Sequence, residues 1–247
     1  MFLNNNLFKF QSPILTMLID AHCHLDKFDN IQIPEDILPI PTGYSHESNQ
    51  KTVEIAKKYK LPFVLGIAPQ TAIFEGLNNL DEAIDFIRNN KPNAIGEIGL
   101  DFHWIKKEQD AEIETILFNK MLDLAEEMNL PIVIHSRKAE KECFEIIKFR
   151  GIKKFLMHYY SGDKQLAKEI ADYGGFFTIP PVRSKSRKEV IIEVGLDHLM
   201  VESDAPYVGK TIDEIKKAIE YIADILGKDQ SVVIEKTTNN AKVFFGV

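Results

Sequence analysis

Short apolar runs recur along the chain at 18–22, 37–41, 62–66, 94–98, 131–135, 155–158, 175–179 and 199–202. Each has the length of a buried strand and is bounded by polar or turn-forming residues. Between most of them lie segments with helical spacing. Ile113, Ile116, Leu117, Met121, Leu124, Ala125 and Met128 recur at three- and four-residue steps, which predicts a helix with one apolar face. Val53, Ile55 and Ala56 give a shorter version, as do Ala83, Ile84 and Ile87, then Phe144, Ile146 and Ile147, then Leu166, Ile170 and Ala171. Ile212, Ile215, Ile219, Ile222 and Ile225 give a clearer one. Asp81 and Ser231 are candidate helix N-caps, and Gly151 and Gly227 candidate C-terminal stops.

Strands alternating with helices imply parallel pairing. Eight such units in 247 residues predict an α/β fold of the TIM (β/α)8 barrel type. The stretch between the first two runs, 25–36, carries Pro34 and is too short for a full crossover helix. The first helix is therefore expected to be absent or a single turn. No Gly/Ser-rich linker divides the chain, so residues 17–247 are expected to form one barrel. The pattern begins abruptly at Met17, which leaves 1–16 as a leader, either native or preceding the true start.

Composition changes this picture little, but it excludes some partners. Acidic residues (37) outnumber basic ones (30), for a net charge of −7. That argues against a passive nucleic-acid coat, which binds by broad positive charge. It leaves room for an enzyme that meets phosphates through metal ions. Two cysteines, Cys23 and Cys143, make no disulfide framework and fit a reducing cytoplasm. No apolar stretch approaches the length of a membrane span, and 1–16 lack the basic start and apolar core of a signal peptide.

The chemistry lies at the strand ends, where barrel enzymes keep their catalytic residues. His22 and His24 close the first run. They point the same way by strand alternation, while Cys23 points to the other face. Glu97 ends the fourth run, His135 the fifth and His158 the sixth, and Asp204 follows the eighth. A lone histidine at a strand end is usually a satisfied structural residue. Glu97 alone fits a buried partner of an arginine, and Asp204 alone fits a turn former before Pro206. As a set, four imidazoles and two carboxylates at one barrel mouth suit two divalent ions with a bridging carboxylate. Histidine-rich ligation favours Zn by affinity, whereas availability and phosphate chemistry favour Mg or Mn.

These residues sit in motifs that resemble the TatD-type metal-dependent deoxyribonucleases of the amidohydrolase superfamily. The matching segments are 19–26 (IDAHCHLD), 94–104 (AIGEIGLDFHW), 130–137 (LPIVIHSR), 158–162 (HYYSG) and 201–207 (VESDAPY), with 238–246 similar to the family's final helix. The resemblance implies that His22, His24, Glu97 and Asp204 hold one metal and that Glu97, His135 and His158 hold the second. Glu97 and Asp204 are then the catalytic carboxylates. Glu97 bridges the ions, and Asp204 takes a proton from the attacking water and later protonates the leaving 3′-oxygen. The implied substrate is DNA, cut at 3′ ends, by a monomer with no obligate protein partner and no membrane association.

Substrate contacts have candidates too. Arg137 lies two residues past His135, and the densest basic run, 183–188, follows the seventh strand, where barrels often hold phosphate. Arg183 and Lys185 in that run suit either a phosphate or the solvated face of the next helix. His103 and Trp104 suit base or sugar contacts, and Trp104 equally suits packing at the rim. The chain departs from the family at Gly66-Ile67-Ala68-Pro69-Gln70, where the family usually shows Gly-x-His-Pro, and at Tyr159-Tyr160 in place of Cys-Phe. Besides a DNase, two readings therefore stay open. One is a superfamily hydrolase of a small phosphoester, amide or lactone. The other is a catalytically weak metal-binding barrel, for which Ala68 is the support.

Overall fold

The structure, a computed structural model, describes residues 17–247; the leader expectation for 1–16 falls outside them. Eight parallel strands follow one another: β1 (Leu18–Cys23), β2 (Ile37–Pro41), β3 (Val64–Leu65), β4 (Ala94–Asp101), β5 (Ile132–Arg137), β6 (Phe155–Met157), β7 (Phe176–Ile179) and β8 (Leu199–Val201). β1 pairs with β2, and β3 to β8 form a six-stranded curled sheet in sequence order. Hydrogen bonds join the two pieces at both seams. Thr42 bridges Val64, and Gly43 N donates to Val64 O at 2.9 Å. On the other side Asp204 N donates to His22 O at 3.0 Å, and His24 N to Ala205 O at 2.8 Å. The eight predicted strands thus close into the expected barrel.

The helices are α1 (His46–Tyr59), α2 (Pro69–Glu75), α3 (Leu80–Asn90), α4 (Glu108–Met128), α5 (Glu140–Phe149), α6 (Lys164–Tyr173), α7 (Lys185–Val194), α8 (Ile215–Leu226) and α9 (Gln230–Phe245). Where a first helix would stand there is one 3-10 turn, Leu25–Lys27, as the short 25–36 connection required. Among the described residues no helix is long and apolar enough to cross a membrane. Two caps differ from expectation. Asp81 lies inside the first turn of α3, which Asn79 precedes, and Asp229 rather than Ser231 caps α9, accepting from Ser231 N at 2.8 Å. In both cases the helix begins earlier than the apolar spacing suggested. Gly227 caps α8, and Gly151 follows Arg150, the C-cap of α5, both glycines with positive φ.

Alternation along the strands splits the core into two layers. Ile19, Ala21, Ile40, Val64, Ala94, Val133, Leu156 and Met200 meet inside the ring, where Phe244 and Phe245 of α9 join them. Asn93, at the start of β4, donates to Phe245 O, so α9 plugs the N-terminal end of the barrel. Outward residues such as Leu65, Ile95, Ile132, Ile134, Phe155 and Phe177 pack under the helices. The filled interior leaves the opposite end as the only one open to chemistry, as barrels require.

Candidate metal centre

The mouth depends on two strand irregularities. In β1, Ile19 and Ala21 face inward, so unbroken alternation would turn His22 outward. The β1–β2 register shifts between Asp20 and Cys23, and Cys23 instead packs outside with Leu25, Ala205 and Ile212. β4 repeats the device. Ile95 and Ile98 both lie in the outer layer, and the register shift between them brings Glu97 inward. Glu97 therefore sits mid-strand rather than at the strand end, which Asp101 occupies. Gly99 lets β4 and β5 approach here, since a Cβ at that position would meet His135 O.

All six expected ligand residues converge. Nε2 of His22 lies 3.2 Å from Nε2 of His24 and 3.9 Å from both Glu97 Oε2 and Asp204 Oδ1. His24 Nε2 stands 3.4 Å from Asp204 Oδ1. His158 Nε2 is 3.6 Å from Glu97 Oε1, and His135 Nδ1 is 2.6 Å from the same oxygen. The rings of His22 and His158 stack at 3.8 Å. Five of the six are buried and His135 is half-buried. Ligand atoms of His22, His24 and Asp204 lie within 4.8 Å of one another, and so do those of His22, Glu97 and His158. His22 thus touches both groups, while His135 joins the set through Glu97.

The donor set fits a cation. His24 Nδ1 donates to Thr42 O at 3.0 Å and His158 Nδ1 to Glu202 Oε2 at 3.0 Å, so both rings turn a lone pair on Nε2 toward the mouth. His135 Nε2 donates to Asp101 Oδ2 at 2.8 Å, yet its Nδ1 makes no aligned hydrogen bond despite the nearby Glu97 oxygen. Buried lone pairs facing one another and two carboxylates are costly unless protons or metal ions lie between them.

Without metal, protons do that work. Burial opposes the charge on Glu97, but the close imidazoles of His135 and His158 outweigh it and hold the carboxyl well below its usual range. Burial likewise opposes charge on His135, yet its hydrogen bond to Asp101 and the adjacent Glu97 carboxylate push its pKa up to about 9. His158 is raised well above its ordinary value, against burial, by Glu202 and then Glu97. His22, desolvated and beside the His158 and His24 charges, is held well below it. A metal ion held by these residues would have to displace protons from His24, His135 and His158, all three raised, so apparent metal affinity should rise as the pH passes through the His135 value of about 9. Loading the metal-free protein at pH 7 in weak buffer is expected to release protons; a stoichiometric titration with no acidification would contradict this.

Asp101 and Glu202 carry no role in the sequence reading, yet each orients a candidate ligand. Their signal was available: both are acids directly flanking apolar strand runs, and both are fully buried here. Asp20 is a third such acid, accepting from Ser203 N at 2.8 Å and tying β1 to the loop that carries Asp204. Asp101→Asn and Glu202→Gln are expected to lower metal affinity by about 10- to 100-fold with the fold retained. Competition against a chelator measures this, and unchanged affinity would remove the orienting role.

The ligand cluster opens into a cavity of about 400 Å³ also lined by Tyr44, Gln70, Trp104, Arg137 and Tyr207. A second lobe of about 430 Å³ adjoins it, with Arg137, Tyr159 and Ser161 in its wall. Arg137 is exposed and meets no carboxylate within salt-bridge distance among the described residues. His103 is exposed beside Trp104. The basic run goes elsewhere: Arg183 pairs with Asp224 at 2.8 Å, Lys185 opens α7 in solvent, and neither lines the mouth. Ala68 is buried at the start of α2, and Gln70, two residues on, is the polar side chain that this segment offers to the cavity.

Comparison with known proteins then decides the family. The family model for TatD-related DNases matches residues 19–246. This chain belongs to the TatD-related DNase family. Among TatD relatives, an uncharacterized metal-dependent hydrolase of Methanocaldococcus jannaschii is 31% identical over 92% of this chain and 96% of its own length. The human deoxyribonuclease TATDN3 is 29% identical over 92% of this chain and 94% of its own. The TatD homologue YjjV of Escherichia coli shares the fold, with a TM-score of 0.81 at 21% identity over 95% of this chain and all of that one.

Proposed function

We propose that this TatD-family chain is a metal-dependent hydrolase that cleaves phosphodiester bonds of DNA. The observation that carries the reading is the convergence of His22, His24, Glu97, His135, His158 and Asp204 in one mouth, where the imidazole nitrogens face one another and two carboxylates at 2.6–3.9 Å. In this reading His22, His24 and Asp204 hold one divalent ion and His135 and His158 the other, with Glu97 shared. When bound, two such ions (Mg, Mn or Zn) neutralise the phosphate and acidify a water.

The chain's own groups supply the rest. Asp204 holds its carboxylate at the cavity wall, takes the water's proton and returns it to the leaving oxygen. The unpaired Arg137 guanidinium binds a non-bridging phosphate oxygen by charge-assisted hydrogen bonds. Gln70 offers a neutral amide where the family histidine is missing, and Trp104 and His103 lie beside the entering strand. Arg183 and Lys185 act at most as distant attraction, because neither reaches the mouth.

Hydrolysis of single-stranded DNA, duplex DNA, RNA and a generic phosphodiester, each with and without chelator, tests the proposal. Chelator-sensitive release of nucleotides from DNA is the expected result. Activity confined to small esters would replace DNA with a small phosphoester, and no turnover by the metal-loaded protein would leave a binding barrel.

A further inference from the structure

We propose that Phe74 and Trp104 form a nucleobase-binding corner at the rim of the metal mouth, an inference that rests on the phosphodiesterase reading above. Phe74 lies on α2 with 64% of its surface exposed and belongs to none of the hydrophobic clusters. The core therefore does not account for it. Its ring stands 5.4 Å from that of Trp104 at an interplanar angle of 74°. Trp104 in turn lines the same cavity as Glu97, His135 and Arg137.

Two perpendicular rings make a corner, not a flat patch. A planar ligand can lie against one ring face while its edge meets the other, a favourable arrangement for both contacts. The Phe149 side chain is more exposed still, at 92%, but on α5 it lines neither lobe of the cavity and pairs with no exposed aromatic among the described residues. What distinguishes Phe74 is continuity with a site that also presents an unpaired cation. A ligand with an anionic group for Arg137 and a flat π-system for the corner is a nucleotide. Stacking of this kind tolerates any base, because every base has a π-face.

Trp104 is the single tryptophan of the chain, so its fluorescence reports the corner directly. The metal-loaded full chain is titrated with deoxyadenosine monophosphate and, separately, with deoxyribose 5-phosphate, which differs only in lacking the base. Neither contains a phosphodiester bond, so turnover does not enter. Saturable quenching by the nucleotide alone is expected. Phe74→Ala should weaken it about five-fold or more, and Phe74→Tyr should restore it. Equal response to the base-free sugar phosphate, or wild-type nucleotide affinity in Phe74→Ala, would overturn the corner. DNA cleavage without nucleotide quenching defeats this inference alone. Nucleotide quenching without DNA cleavage defeats the phosphodiesterase reading and leaves a nucleotide-binding corner.

Discussion

Glu97→Ala is expected to lower turnover by at least about a thousand-fold and leave the barrel folded. Glu97 is the one carboxylate in reach of both halves of the cluster: its two oxygens lie 3.9 Å from His22 and His24 and 2.6–3.6 Å from His135 and His158. Removing it separates the halves and strips the centre of its shared negative charge. If the centre holds the proposed pair of ions, metal content should fall from about two per chain toward one or none. The fold should survive, because the mouth stands above a ring interior filled by Val133, Leu156, Met200 and the α9 phenylalanines. Metal analysis, a melting curve and single-turnover rates separate these effects. A variant that retains turnover within about ten-fold would end the claim that Glu97 is shared.

Asp204→Asn should lower kcat by about 10²- to 10⁴-fold with KM little changed, the size expected for loss of a positioned proton acceptor. The substitution is nearly isosteric. Residue 204 adopts a left-handed backbone, φ 46°, which asparagine tolerates as well as aspartate. Its backbone also holds the loop, donating to His22 O at 3.0 Å and accepting from Val208 N at 2.9 Å. Those bonds persist in the variant, so the remaining ligands keep their places while the amide cannot take a proton. Activity within ten-fold of wild type, at unchanged metal content, would show that Asp204 serves only as a ligand.

Much of the fold was legible because a parallel barrel writes itself as a period: buried strand runs, amphipathic helices, and a first connection too short for a helix. The six ligand candidates were legible for a related reason, since acids and imidazoles at the ends of apolar runs are conspicuous. Less legible were the residues that work through others. Asp101 and Glu202 matter because of what they touch across 34 and 44 positions of chain. For the basic run around Arg183 the sequence left a phosphate contact and a solvated helix face open, and Asp224 on α8 takes up the guanidinium.

The amino-acid sequence by itself determined the number and order of strands, the single turn after β1, and the set of residues available for chemistry. Those follow from local hydrophobic period and chain length. The tertiary structure alone decided which way those residues face. Strict alternation would have turned His22 and Glu97 out of the ring, and only the register shifts in β1 and β4 bring them in. Such shifts are set by pairing with neighbouring strands and by closure of the ring, neither of which is a property of any local segment. The same holds for the approach of Phe74 and Trp104, which joins helix α2 to the turn after β4 across a gap that no spacing rule spans.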